Sequence, residues 1–157
     1  MNTPPTSRQR RSIRLHGHDY TRPGAYFITI VAVEWKHLFG EIVDNQMVLN
    51  ETGKIAASEW LRLTNRFHSI ELDSFVVMPN HMHGIIVIRE VGARGLFTGS
   101  GTEESPRAPT REKFSAPVPG SIPTIVRSYK SSVTQRNQWQ HGGNFGSVWQ
   151  RNYYEHI

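Results

Sequence analysis

The spacing of apolar and polar positions changes several times along this chain, and each change predicts an element. After Pro23-Gly24, the run from Ala25 to Val33 is β-branched and aromatic and predicts a strand. Leu38 to Leu49 reads as a hairpin with Asp44-Asn45 at its turn, because these two residues tolerate the left-handed backbone that tight hairpin turns need. Asn50 is then a candidate helix N-cap. Behind it Ile55, Ala56, Trp60 and Leu63 recur at helical spacing, so residues 51–66 predict one amphipathic helix. Two more apolar runs, Ile70 to Val77 and Met82 to Ile88, predict strands joined by the turn Met78-Pro79-Asn80.

Residues 91–120 lose this periodicity and are filled with Gly, Ser, Thr, Pro and mixed charges, which predicts a disordered linker or insertion. From Ser121 to Gln138 a helix is predicted: Ser121 stands at the cap, Pro123 in the first turn, and Ile122, Ile125, Val126, Tyr129 and Val133 share a face. Gly142-Gly143 ends it, and an aromatic tail runs from Val148 to Ile157. The order of strands and helices predicts an α+β fold, a ferredoxin-like antiparallel sheet with its helices on one face. A basic arm over 1–22 precedes a single domain over 23–157, interrupted by 91–120.

Composition narrows the chemistry. There are 157 residues and no cysteine, so a disulfide framework and thiolate zinc sites are excluded, and a metal would need His, carboxylate or amide ligands. No apolar run approaches the roughly 18 residues of a membrane span, and the expected setting is the cytoplasm. The net charge of +5 favours polyanionic partners without naming one. The arginines at 8, 10, 11 and 14 suit either a DNA-contacting arm or an unstructured tail.

The candidate chemistry is His81-Met82-His83 at the start of a strand. Strand residues i and i+2 face the same way about 6.6 Å apart, so two imidazoles can converge on one cation while Met82 turns to the other side. Taken bare, the pattern suits two structural histidines at a strand edge better than a metal site.

The whole run from Phe75 to Val87, FVVMPNHMHGIIV, resembles the strand-turn-strand of the His-hydrophobe-His single-tyrosine transposases, closest to the REP-associated branch. Gly24 to Thr29, Leu38 to Ile42, Leu49 to Gly53, Tyr129 to Ser131 and Val148 to His156 resemble the same group. The resemblance implies that His81 and His83 hold Mg2+ or Mn2+ against the scissile phosphate of single-stranded or hairpin DNA. It also implies a tyrosine that forms a phosphotyrosine, with an Asn or Gln ligand four residues later, both expected beyond Ile157 on a catalytic helix. Tyr153 and Tyr154 are the alternatives within the chain, each with aromatic packing or base stacking as its competing role. For DNA contact the candidates are Arg14, Arg127, Lys130, Trp149, Gln150, Arg151 and Tyr153, since cations interleaved with aromatics suit unpaired strands. A homodimer is compatible with this reading. A nucleic-acid-binding protein without catalysis is the other class left open.

Overall fold

The computed structural model describes residues 18–89, 118–143 and 145–157. Most of the expected basic arm, including Arg14, and most of the expected linker over 91–120 lie outside the described residues. The elements run β1 (Gly24–Val31), β2 (Gly40–Val43), β3 (Gln46–Leu49), α1 (Glu51–Leu61), α2 (Leu63–Arg66), β4 (Ile70–Val77), β5 (His81–Ile88), α3 (Ile122–Gln140) and β6 (Tyr154–His156).

The main sheet has the order β4-β5-β1-β6, and every neighbouring pair in it is antiparallel. Setting aside the β2-β3 hairpin, the chain reads strand-helix-strand-strand-helix-strand. The first strand pairs between the third and the last, which is the ferredoxin-like arrangement. The hairpin is a separate two-stranded sheet inserted between β1 and α1, and its turn residues Asp44 and Asn45 adopt positive φ (49° and 61°). The expected 51–66 helix is divided at Arg62 into α1 and α2. The aromatic tail supplies a short strand that adds to the edge of β1.

Burial alternates along the strands and decides which face is which. Tyr26, Ile28 and Ile30 of β1, with Met82, Ile86 and Ile88 of β5, are buried, whereas Phe27 is exposed and Thr29, His81, His83 and Ile85 are only partly covered. The buried face packs under the helices. Trp60 of α1 and Tyr129 of α3 meet edge to face at 5.4 Å, and the Tyr129 hydroxyl donates to the Ala56 carbonyl at 3.1 Å. Thr52 of α1 donates to Asn137 of α3 at 2.9 Å, so this buried polar pair across the helical interface is matched rather than left unpaired. A bulge in β4 places Asp73 and Ser74 opposite one residue of β5, which lets Leu72 and Phe75 both face the core.

Asn50 caps α1 by accepting from the Gly53 amide at 3.0 Å, as its position predicts. Its own amide donates back to the Leu38 carbonyl at 3.0 Å and ties the helix start to the hairpin. Three arginines bind α1, α2 and α3 together through Glu59, which is buried: Arg62 and Arg66 approach it at 3.3 Å and Arg136 at 2.7 Å.

Candidate functional site

His81 and His83 open β5 on the face of the sheet away from the helices, their rings 4.8 Å apart and nearly perpendicular. Strand alternation turns both outward, because Met82 between them and Gly84 after them are buried against the core. Each ring has its Nδ1 engaged. Asn80 Oδ1 lies 2.7 Å from His81 Nδ1; an amide oxygen can only accept, so Nδ1 carries the hydrogen and Nε2 keeps the lone pair of the neutral ring. Thr29 Oγ1 lies 2.8 Å from His83 Nδ1, reaching across from β1, where Thr29 and His83 are direct partners in the ladder. Phe27 stacks on the His83 ring at 5.1 Å and 25°. Partial burial, and secondarily the neighbouring His83, hold His81 below the usual imidazole value, which favours the neutral, metal-binding form.

The backbone around this pair is tied down. Asn80 also donates from Nδ2 to the Trp35 carbonyl at 3.4 Å, and its carbonyl accepts from the Ala32 amide at 2.8 Å. The Pro79 carbonyl accepts from the Phe39 amide at 3.0 Å, so the loop after β1 is laced to the turn that delivers His81.

The donor set fits a divalent cation held by two imidazole nitrogens, its other positions open to water or substrate oxygen. Imidazole nitrogen suits Mn2+ better than Mg2+, which favours oxygen and retains its waters. Among the described residues no group of three or more His, Asp or Glu side chains is arranged to hold a metal.

The expected DNA-contacting residues separate into two groups. Arg127 on α3 and Arg151 before β6 are exposed. Lys130 instead turns inward and donates to the carbonyls of Gln150 at 2.5 Å and Arg151 at 3.1 Å; burial lowers its ammonium to about 8. Gln150 is partly covered and its backbone N–H donates to the Val31 carbonyl at 2.9 Å. Trp149 and Tyr153, expected on a stacking surface, are core residues at 5% and 6% exposure, and Trp149 packs on Phe39 at 4.9 Å and Tyr129 at 5.6 Å. The tail spends these aromatics on joining the last strand to the helix layer. Tyr154, one residue on, is 45% exposed on the face that carries the histidines. Arg14 lies outside the described residues.

Sequence reasoning gave no role to Asn80, Thr29 or Phe27. Asn80 stands inside the resemblance run beside His81, and that adjacency was the available signal. Thr29 and Phe27 reach the histidines only through the β1-β5 register.

No protein-family model matches the chain. An uncharacterized protein of Haemophilus influenzae is 39% identical over 151 residues, covering 94% of this chain and 78% of that protein. Among solved structures, a candidate transposase from Deinococcus radiodurans R1 aligns with a TM-score of 0.50 at 13% identity, over 92% of this chain and 85% of that one. A REP-associated tyrosine transposase bound to a REP hairpin aligns with a TM-score of 0.46 at 16% identity, over 91% of this chain but only 61% of that one. Among the described residues no helix is long and apolar enough to cross a membrane.

Proposed function

This chain belongs to one family with the Haemophilus influenzae protein, and we propose that it is a transposase-like domain that binds unpaired or hairpin DNA and holds a phosphate of it on a divalent metal for cleavage and rejoining. The observation that carries the reading is the outward-facing His81-His83 pair, with the Nδ1 atoms engaged by Asn80 and Thr29 and the Asn80 oxygen leaving the His81 Nε2 lone pair for a ligand. The fold, shared with the Deinococcus radiodurans chain, and the FVVMPNHMHGIIV run support the same assignment.

The metal, when bound, would neutralise charge that gathers on a phosphodiester during its displacement. The chain's own residues prepare for that. Asn80 holds the His81 ring with Nε2 deprotonated. Thr29 sets the plane of His83, and Phe27 backs that ring so that it cannot swing along the sheet. Such partners orient ligands and raise their basicity. The phosphotyrosine step rests on the sequence resemblance alone, and no described residue is assigned the attacking oxygen.

Fluorescence anisotropy tests the reading with a labelled hairpin carrying a single-stranded flank, set against a blunt duplex, over a series of salt concentrations with and without Mn2+. The flanked hairpin is expected to bind more tightly at each salt concentration, and Mn2+ to strengthen it in the native chain but not after His81→Ala and His83→Ala together. Equal binding of duplex and hairpin, with no effect of Mn2+, would overturn the assignment.

A further inference from the structure

We propose that Phe27 and Tyr154 form a stacking surface for unpaired nucleobases beside His83. This inference rests on the reading of the open sheet face as a nucleic-acid site. The ladder registers place Val76, His83, Thr29 and Tyr154 in one row across β4, β5, β1 and β6. Phe27 lies two residues from Thr29 on the same face, in the row that joins Ile85 and His156. Neighbouring strands are about 4.8 Å apart and like-facing residues along a strand about 6.6 Å apart, so both aromatic rings stand within a nucleotide or two of the histidine pair.

Their exposure is a placement and not a shortage of core. Tyr26 and Tyr153, the residues beside them in sequence, are buried at 1% and 6%, while Phe27 and Tyr154 are 38% and 45% exposed. Alternation on β6 confirms the direction: Glu155 accepts a hydrogen bond from Tyr20 on the core side, which leaves Tyr154 and His156 on the other. Phe27 already lies nearly parallel to His83, so a base stacked there would extend an existing pile of flat rings.

The occupant that fits is an unpaired nucleic-acid strand. A protein partner would want a dry apolar face, whereas this one interleaves its two aromatic rings with His81, His83, His156 and the Thr29 hydroxyl. Every base offers a flat face to an aromatic ring, whatever its sequence. Arg151, exposed just before β6, and the net charge of +5 favour the accompanying phosphates.

The test uses the full chain and a fluorescent single-stranded oligonucleotide in EDTA, so that no metal contributes. Tyr154→Ala and Phe27→Ala are each expected to weaken binding about ten-fold, the size of one lost base stack. Tyr154→Phe restores most of that loss, because the ring and not the hydroxyl is used. Phe27→Leu, which keeps an apolar side chain on the strand but no flat ring, weakens binding like Phe27→Ala and separates stacking from any folding defect. Trp139→Ala, at the 80% exposed tryptophan of α3, leaves affinity unchanged. The dependence on salt keeps its slope in every variant, since no phosphate contact is removed.

Alanine variants that bind like the native chain would overturn the proposal, as would Tyr154→Phe losing as much as Tyr154→Ala. A native chain that binds no single strand in EDTA, yet takes up Mn2+ at the histidines, would overturn this inference and leave the metal site standing. Binding of single strands without Mn2+ uptake would leave the stacking surface and remove the metal site.

Discussion

Gly84, which follows the histidine pair, is buried with its α-carbon facing the Trp60 indole, and replacing it with alanine tests how tightly β5 is held against the helices. A Cβ at Gly84 would lie 2.3 Å from Trp60 Cζ2, 2.8 Å from Cε2 and 2.9 Å from Cη2. Ordinary carbon contacts begin near 3.5 Å, so the ring or the strand must move by about 1.2 Å or more. The indole has little room to retreat, being fully buried against Tyr129 at 5.4 Å and near Phe75 at 6.3 Å. Overpacking of this kind costs about 1–3 kcal/mol, and three close contacts on one rigid ring place Gly84→Ala near the top of that range. Against it, alanine restricts the unfolded chain and returns about 0.4–1 kcal/mol. The net expectation is a loss of about 2 kcal/mol, roughly 4–8 °C in Tm for a domain of this size. Urea denaturation followed by circular dichroism measures it. The same substitution in a Trp60→Phe background, where the outer part of the indole is gone, should cost less than about 0.5 kcal/mol, a coupling that a double-mutant cycle isolates. A Gly84→Ala protein as stable as the native one, or an equal cost in both backgrounds, would refute the packing argument.

Three further outcomes follow from the same geometry. Glu59→Gln strips the buried carboxylate from Arg62, Arg66 and Arg136 and is expected to cost about 2–3 kcal/mol in urea denaturation, less than a fully buried pair because the arginines remain partly hydrated. Asn80→Ala removes the Nδ1 partner of His81 and the tie to Trp35, so Mn2+ affinity should fall about ten-fold or more by calorimetry while the melting curve moves little. Lys130 is lowered by burial to about 8 from 10.5, so between those values the folded state holds fewer protons than the unfolded one and stability rises with pH. Denaturation at pH 7.5 and pH 10 should therefore show the native chain gaining on Lys130→Met as pH rises; a difference that is flat or falls would contradict the placement of Lys130.

Much of this architecture was legible in the sequence because the buried face of each element follows its period. The β4 strand begins and ends where its apolar run does, and Asn50 caps α1 as its position predicts. The break at Arg62 was not legible, because Leu63 continues the apolar spacing of α1 across it. Nor was β6: three residues at a sheet edge carry too little pattern to separate a strand from a tail. That gap also explains the aromatics. Trp149, Tyr153 and Tyr154 are equivalent in composition, and only the pairing of the tail with β1 buries the first two and exposes the third. His81 and His83 could be singled out from their spacing, but Thr29 could not, since it reaches His83 from 54 residues away through the β1-β5 register. Lys130 looked like a phosphate contact because a sequence does not show the backbone carbonyls that occupy it.

If His81 and His83 hold one divalent ion together, the ion must sit beside both rings, closer to them than to the other histidines of the described residues. Titrating Mn2+ into the chain while recording nitrogen-proton correlations of the histidine rings tests it directly, because the paramagnetic ion broadens the nearest nuclei first. The His81 and His83 ring signals are expected to vanish at the lowest Mn2+ additions, while those of the exposed His37, His68 and His141 persist to much higher concentration. Simultaneous loss of all the exposed histidines, or survival of the His81 and His83 signals after the others have gone, would contradict it.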